Sequence, residues 1–355
     1  MTPVDSLPIT DLSDGALVEA VTELGGKPFQ ARQLTHWVYK HGAADFDECQ
    51  NLPQALRAQL RDRGPLLQTK MVDESRAGDG TGKFLIELQD GETVETVLIP
   101  EDARNTLCVS TQVGCPVACV FCASGLDGVR RNLSTGEIVE QVLHARRAAG
   151  PGREITNLVC MGIGEPMLNL DNLLPALARI HDPAGLNMGA RRITVSTSGY
   201  PQQIDRFAQA PHAYNLAISL HAADDELRRR LVPTAKTPVS EIIDAGRRYS
   251  STNRQVTFEV VLLAGVNDRP RDAKTLVQRL QRVPCTVNLL PWNPVDQISD
   301  LRRPPPYRVD EFARLLRAGG LNVTVRRQRG ADRRAACGQL RIQHRRSDAA
   351  VQDPE

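Results

Sequence analysis

Hydrophobic residues recur with two different spacings along the chain. In the first 65 residues, apolar side chains lie three or four positions apart in three short stretches, which is typical of helices with one buried face. These stretches are residues 14–24, 27–42 and 53–61. Residues 1–65 are therefore predicted to form a small helical accessory module.

Residues 68–99 alternate between apolar and polar positions, as half-buried strands do. Asp90–Gly91 lies between two such runs and is a strong signal for a tight hairpin turn. Residues 66–100 are therefore predicted to be a β-hairpin extension, a β-rich connector to the rest of the chain.

From Leu107 onward, strand-like runs alternate with helical segments. The strand-like runs are 106–112, 155–161, 192–198, 215–220, 256–263 and 286–291. The helical segments are 135–149, 170–180, 201–209, 224–231, 239–250 and 271–281, and a seventh pair is helix 309–318 with strand 322–326. Repeated βα units predict an α/β fold with parallel strands and right-handed crossovers. Six units are too few for a complete eight-stranded barrel.

Composition narrows the class of protein. The 355 residues are 41% hydrophobic and 24% charged, which is ordinary for a soluble globular protein. No apolar run approaches ~18 residues, so no membrane span is expected. The first residues do not resemble an apolar signal segment. Eight cysteines, three of them clustered, fit a reducing cytosol, so a cytoplasmic protein is expected.

Three cysteines, Cys115, Cys119 and Cys122, form a C-x3-C-x2-C motif in the run GCPVACVFC. Three thiolates from one loop can bind three irons of a 4Fe–4S cluster, which leaves the fourth iron open to another ligand. A zinc site usually needs a second Cys or His pair nearby, and the nearest histidine downstream is His144. The motif favours a cluster, with zinc binding or plain buried cysteines as the alternatives.

The C-terminal segment, residues 326–355, is rich in arginine. Between Arg326 and Arg346 there are eight arginines and one acid, Asp332. Because the guanidinium group matches phosphate geometry, residues 326–334 are predicted to contact nucleic acid. Residues 345–355 are predicted to be a flexible, solvated tail.

Six motifs together resemble one enzyme family. In order, they are CVSTQVGCPVACVFCASG, MGIGEPMLN, TVSTSGY, AISLHA, LLPWNP and RGADRRAACGQL. The chain resembles the RlmN-type RNA adenine methyltransferases, which are radical S-adenosylmethionine (AdoMet) enzymes, from about Val94 to about Leu340. The stretch KPFQARQLTHWVYK carries a looser likeness in the first module. The resemblance implies an open, partial (βα)6 barrel over residues 101–325, with its chemistry at the carboxyl ends of the strands.

The resemblance also implies the residues of the site. Cys115, Cys119 and Cys122 would bind the cluster. The AdoMet contacts would be Gly164, Glu165, Ser196, Ser219, Leu220, His221 and Asn293. A glycine lets the backbone approach a ligand closely, and a glutamate can accept hydrogen bonds from the AdoMet ammonium. Read without the resemblance, His221 and Asn293 would be a structural histidine and a turn residue.

Three further residues carry the mechanism that the resemblance implies. Cys337 would be methylated by one AdoMet, and a radical made from a second AdoMet would take a hydrogen from that methyl group. The carbon radical would add to carbon 2 of an adenine and form a protein–RNA crosslink. Glu95 would then remove the proton from carbon 2, and Cys108 would attack Cys337, leaving a Cys108–Cys337 disulfide that must be reduced in each turnover. Cys49, Cys160 and Cys285 match nothing catalytic.

The implied substrates are an adenosine in 23S rRNA and one beside the anticodon of some tRNAs, and the product is 2-methyladenosine. Two AdoMet molecules per turnover, an electron donor such as flavodoxin or ferredoxin, and a monomeric enzyme are expected. Three alternatives remain. They are a Cfr-like enzyme that methylates carbon 8, a radical AdoMet enzyme acting on protein or small molecules, and a zinc-dependent RNA-binding module.

Overall fold

The computed structural model describes residues 8–150, 153–211, 213–252, 254–326, 330, 335–336 and 338–340. Its N-terminal helices are α1 (Asp14–Glu23), α2 (Pro28–His36) and α3 (Gln54–Arg63). Ser13 caps α1 by accepting a hydrogen bond from the Ala16 N–H. α2 continues as a π-helical turn, Trp37–His41, which ends at Gly42 with a φ of 71°. The stretch predicted as one helix, 27–42, is therefore an α-helix followed by this turn.

The connector consists of three antiparallel strands, β1 (Lys70–Arg76), β2 (Gly82–Glu87) and β3 (Thr93–Glu101). The Leu88 N–H donates to the Glu92 carbonyl at 2.8 Å, and Gly91 has a φ of 81°. These contacts confirm the turn predicted at Asp90–Gly91. A second turn, between β1 and β2, contains the same Asp-Gly dipeptide at Asp79–Gly80, where Gly80 has a φ of 84°, so the connector contains two hairpin turns.

The remaining elements alternate as predicted. The strands are β4 (Arg104–Cys108), β5 (Gln112–Gly114), β6 (Val129–Asn132), β7 (Asn157–Cys160), β8 (Ile193–Thr197), β9 (Asn215–Ser219), β10 (Val256–Leu262), β11 (Thr286–Pro291) and β12 (Asn322–Val325). The helices are α4 (Thr135–Ala149), α5 (Leu170–His181), α6 (Pro201–Ala208), α7 (Asp225–Leu231), α8 (Val239–Ser250), α9 (Pro270–Leu280) and α10 (Pro306–Ala318).

One ten-stranded sheet runs in the order β1-β2-β3-β4-β7-β8-β9-β10-β11-β12. The strands from β4 to β12 are parallel to their neighbours, and helices connect them. Because the sheet ends at β12 rather than pairing back to β4, it is an open, partial barrel of six βα units with one added strand. This confirms the predicted fold class.

One predicted strand is wrong in its extent. Residues 106–112 do not form a single strand, because β4 ends at Cys108. Gln112–Gly114 instead pairs with β6 in a separate two-stranded sheet. The chain turns away between them, where Gln141 Oε1 accepts from the Ser110 N–H at 2.8 Å.

The helical module packs directly against α4. Thr10 Oγ1 donates to Glu140 Oε1 at 2.5 Å, and the Gly136 N–H donates to Asp11 Oδ1 at 2.6 Å. A Cβ on Gly136 would lie 2.3 Å from the Gln68 amide nitrogen and 2.5 Å from Thr10 Oγ1, so a side chain here would displace these groups. The module, the connector and the barrel share one hydrophobic core. The domain boundaries at 65, 100 and 325 stay predictions. No helix in the described ranges is long and apolar enough to cross a membrane.

Candidate active site

Residues from all six motifs line one cleft at the carboxyl ends of the parallel strands. The cleft, including its mouth, has an empty volume of about 1020 Å³. Its lining includes Cys115, Cys119, Cys122, Gly164, Glu165, Ser196, Ser219, His221 and Asn293. Leu220 is the exception among the predicted AdoMet contacts in the described chain. Its side chain is fully buried in the main core, and its N–H donates to the Glu259 carbonyl.

The cysteine loop is held at both ends by hydrogen bonds. The Cys115 N–H donates to the Gly128 carbonyl at 2.9 Å, and the Trp292 indole N–H donates to the Phe121 carbonyl at 2.9 Å. Val117, Phe121 and Trp292 form an apolar cluster against which the three cysteines pack. These contacts fix the shape of the loop.

Burial raises the pKa of the Cys115 thiol to about 12, and it raises the pKa of Cys119 well above its usual range. A metal that binds these sulfurs must therefore displace their protons. Three sulfur donors from one apolar loop fit a 4Fe–4S cluster with one open iron. Zinc has less support, because within the described ranges no three His, Cys, Asp or Glu side chains are arranged around a single ion.

Glu165 lies beside the cysteines and is 2% exposed. The Met167 N–H donates to its Oε1 at 3.1 Å, and the Ser198 N–H donates to its Oε2 at 2.7 Å. Burial raises the pKa of this carboxyl. Gly164, with a φ of 116°, turns the chain into the cleft. A carboxylate fixed in this way can accept a hydrogen bond from a cationic ligand.

His221 has a backbone conformation that few residues other than glycine adopt, with a φ of 61°. Its N–H donates to the Glu259 carbonyl, and the Val261 N–H donates to its Nδ1 at 3.3 Å. Burial lowers its pKa to about 3, so the ring is neutral. With Nδ1 accepting, Nε2 carries the hydrogen and is a donor. Strain of this kind is common at functional sites.

Ser196 Oγ donates to the Cys160 carbonyl at 2.6 Å, and Arg303 donates to Asn293 Oδ1 at 3.2 Å. Glu259 on β10 also lines the cleft, and the Asn288 amide donates to its Oε2 at 2.8 Å. The sequence analysis missed Glu259 and Trp292. The acidic residue in an otherwise apolar strand run was a signal for Glu259. Trp292 lies in the motif LLPWNP, from which the sequence analysis took only Asn293 as a site residue.

Glu95 and Cys108 lie on adjacent strands of the connector and barrel. Cys108 pairs with Val97, and Glu95 is two positions from Val97, so all three side chains lie on one face of the sheet. Glu95 is 1% exposed, and Lys83 Nζ lies 2.7 Å from its Oε1. Lys83 was not predicted from the sequence.

Cys337 lies outside the described residues, as do most of the arginines of the C-terminal segment and the tail at 341–355. The residues on both sides of Cys337 are described. Ala335 and Leu340 pack in one apolar cluster with Cys108, and Gly338 and Leu340 line the cleft. The segment that carries Cys337 therefore contacts both the Cys108 region and the cysteine loop.

Comparison with known proteins shows the family to which the chain belongs. Its residues 109–276 match the radical SAM superfamily, and residues 7–64 match the ribosomal RNA large subunit methyltransferase N-terminal domain. A probable dual-specificity RNA methyltransferase RlmN from Symbiobacterium thermophilum is 44% identical over 94% of this chain and 91% of its own length. The chain belongs to the RlmN family.

Another RlmN relative and one solved structure support the same family. The dual-specificity RNA methyltransferase RlmN of Rhodospirillum rubrum is 42% identical over 97% of this chain and 82% of its own length. A crystal structure of a radical SAM methyltransferase from Sphaerobacter thermophilus has a TM-score of 0.91 and 46% identity, covering 94% of this chain and 99% of that one. The predicted family is confirmed, and these relatives support the RlmN interpretation rather than the Cfr-like one. Membership of the radical SAM superfamily implies a 4Fe–4S cluster and AdoMet.

Proposed function

We propose that this protein is an RNA methyltransferase that makes 2-methyladenosine in 23S rRNA and in some tRNAs beside the anticodon. The observation that carries the proposal is a single cleft lined both by the three-cysteine loop and by Gly338 and Leu340, which follow Cys337 in the sequence. An RlmN enzyme needs the cluster-binding cysteines and the cysteine that carries the methyl group close together. When bound, the cluster supplies the electron that cleaves AdoMet.

Cys115, Cys119 and Cys122 bind the cluster, and the other polar groups of the cleft hold AdoMet. Glu165 accepts hydrogen bonds from the AdoMet ammonium, and the neutral His221 donates from Nε2. Gly164 allows the backbone to approach the methionine part closely. Ser196, Ser219 and Asn293 contact the remaining polar groups, and Leu220 contributes only through its backbone. One AdoMet methylates Cys337 and a second is consumed in the reaction with RNA.

Cys337 carries the methyl group to the adenine. The apolar cluster of Ala335, Leu340 and Cys108 supports a position for this segment beside the resolving thiol. Glu95 accepts the proton from adenine carbon 2, and the ammonium of Lys83 orients one of its oxygens. The Cys108 thiolate then attacks the Cys337 sulfur. The disulfide forms as the bond between that sulfur and the methylene carbon breaks, and the carbon takes the electron pair and a proton to become the methyl group of the released RNA.

RNA reaches the cleft with its target adenine unstacked, which costs on the order of a few kcal/mol. The helical module and the arginines of residues 326–334 bind the surrounding RNA. A small acidic protein such as flavodoxin or ferredoxin reduces the cluster. The enzyme acts in the cytoplasm as a monomer.

The test is an anaerobic assay with reconstituted protein, dithionite, AdoMet and either 23S rRNA or tRNA, followed by mass spectrometry of the digested RNA. We expect 2-methyladenosine in both RNAs. Cys119→Ala should lose iron, sulfide and activity, whereas Cys285→Ala, at a position packed against the core, should keep all three. Formation of 8-methyladenosine would instead support the Cfr-like alternative, and unmodified adenine in both RNAs would contradict the proposal.

A further inference from the structure

The outer side of the cysteine loop has an exposed apolar residue next to a metal ligand. Val120, which follows Cys119, is 38% exposed. Its N–H donates to the Leu231 carbonyl at the end of α7 at 3.0 Å, and Thr234 Oγ1 donates to the Val117 carbonyl at 2.6 Å. Residues 229–236 therefore lie beside this part of the loop. Cys119, a predicted cluster ligand, is therefore adjacent in sequence to an exposed residue.

The segment that makes these two contacts carries three exposed cations, Arg229, Arg230 and Lys236. They are here called the α7 patch, together with Val120. None of the three forms an ion pair within 4 Å in the described ranges. The buried Arg228 adds a fourth positive charge behind them, and it donates to the Ser198 carbonyl rather than to an acid. Asp224 caps the start of α7. Asp225 and Glu226 lie one helical turn before Arg229 and Arg230, and Asp225, which accepts from the Val239 N–H, lines one pocket with Arg229 and Lys236. The three exposed cations therefore outnumber these two acids by one.

The opposite side of the cysteine loop is already covered. The Ala123 N–H donates to the Gly338 carbonyl at 2.8 Å, and Ser124 Oγ donates to the Leu340 carbonyl at 2.7 Å. The segment on either side of Cys337 therefore covers the loop at residues 123–124, and RNA must approach that segment. Leu231 and Thr234, in the segment that carries the α7 patch, contact Val120 and Val117 instead, so this segment lies on a different part of the cysteine loop.

We propose that the α7 patch is the docking surface for the electron donor, an acidic protein that carries a one-electron cofactor. This inference rests on the proposed function, because only an enzyme that binds a cluster needs such a donor. One electron leaves the cofactor of the donor, which is oxidised by one electron, and one electron enters the cluster. The cations attract the acidic donor, and Val120 provides an apolar contact at the centre.

The experiment compares two triple variants with the same change in charge. R229Q/R230Q/K236Q neutralises the α7 patch. The control, K274Q/R279Q/R282Q, neutralises three exposed cations on and just after α9 that also form no ion pair in the described ranges. The probe is flavodoxin, an acidic flavin protein. Oxidised flavodoxin is used to measure the Kd of its complex with the enzyme, with and without the cluster. Reduced flavodoxin is used to measure the rate of cluster reduction by stopped flow.

We expect the patch variant to weaken donor binding and slow cluster reduction by roughly tenfold, with less dependence on salt than in the wild type. The control should match the wild type. Methylation driven by dithionite and the affinity for RNA should not change in either variant.

Equal donor affinity in the two variants would overturn the proposal. A loss of RNA affinity in the patch variant, with donor kinetics unchanged, would assign the surface to RNA instead. Failure of the wild type to methylate RNA with dithionite would contradict the proposed function. The Kd for flavodoxin would still test the docking surface by itself.

Discussion

The backbone N–H of Ala123 donates to the carbonyl of Gly338 at 2.8 Å, which ties the end of the chain to the loop that carries the metal-binding cysteines. Beside it, Ser124 Oγ donates to the Leu340 carbonyl, 216 positions away. These bonds hold described residues that follow Cys337 in the sequence against the cysteine loop. The proposed role of Cys337 as methyl carrier requires this segment to lie beside the cleft.

Ser124→Ala removes one of these two bonds. A single buried hydrogen bond contributes about 1 kcal/mol, so we expect the segment to loosen without unfolding the protein. Methylation should slow several-fold while iron content and Tm stay near wild type. Ser250→Ala, which removes a hydroxyl from an exposed helix end, is the control. Unchanged turnover in Ser124→Ala would mean that the bond does not position Cys337.

Gly164→Ala tests the turn that presents Glu165. The residue has a φ of 116°, and an added Cβ would lie 2.8 Å from the backbone nitrogen of Gln112. We expect a cost on the order of 1–3 kcal/mol and a loss of AdoMet affinity of tenfold or more, measured by equilibrium dialysis. Gly189→Ala is the control, because its Cβ would meet nothing within 4 Å. Tight AdoMet binding by Gly164→Ala would show that this turn does not contact the ligand.

Lys83→Met tests the partner of Glu95. The two groups are 2.7 Å apart and both are largely buried, so removing Lys83 leaves a buried carboxylate without its ammonium. We expect a loss of about 3 kcal/mol of stability and accumulation of the protein–RNA crosslink on denaturing gels. The double variant K83M/E95Q should recover stability but still accumulate the crosslink.

Lys70→Met, at an exposed position on β1, is the control and should behave as wild type. If the double variant turns over normally, Glu95 does not remove the proton from adenine.

The sequence predicts where a helix or strand begins and ends when the hydrophobic pattern and the backbone hydrogen bonding change at the same residue. They do for α4, whose bounds of 135–149 are as predicted, because Ser134 and Glu137 form a capping box at its start. They do not at Cys108, where the run TLCVSTQ keeps its strand-like composition while its hydrogen-bond partners change from β7 to Gln141. Composition alone does not detect such a change.

The same limit applies to the site. The cysteine motif was predicted because its residue type and spacing carry chemistry by themselves, whereas Glu165 was predicted from the family resemblance. Lys83 is twelve residues from Glu95 and meets it only because β2 pairs with β3. Trp292 and Glu259 lie in runs that read as ordinary strands, and their contacts with the cleft depend on how the barrel curves. Contacts of this kind require the three-dimensional structure.

Glu259 gives a prediction for pH dependence. Burial raises its pKa from 4.5 to about 7, so between these two values the folded protein holds a proton that the unfolded chain has released. The free energy of unfolding should therefore fall as pH rises from about 4.5 to about 7, by on the order of 3 kcal/mol, and should stay lower above that. Glu259→Gln, which does not titrate, should lack this decline.

The measurement is the difference in unfolding free energy between wild type and Glu259→Gln in urea, from about pH 5 to about pH 8, with the exposed Glu226→Gln as control. Ionisation of Glu259 also places a negative charge in the cleft, so wild-type affinity for the cationic AdoMet should rise through about pH 7 and that of Glu259→Gln should not. If the difference in unfolding free energy between wild type and Glu259→Gln does not change with pH across this range, Glu259 does not titrate there. In that case the carboxylate would be ionised throughout, with Asn288 and the mouth of the cleft providing enough polar surroundings to offset its burial.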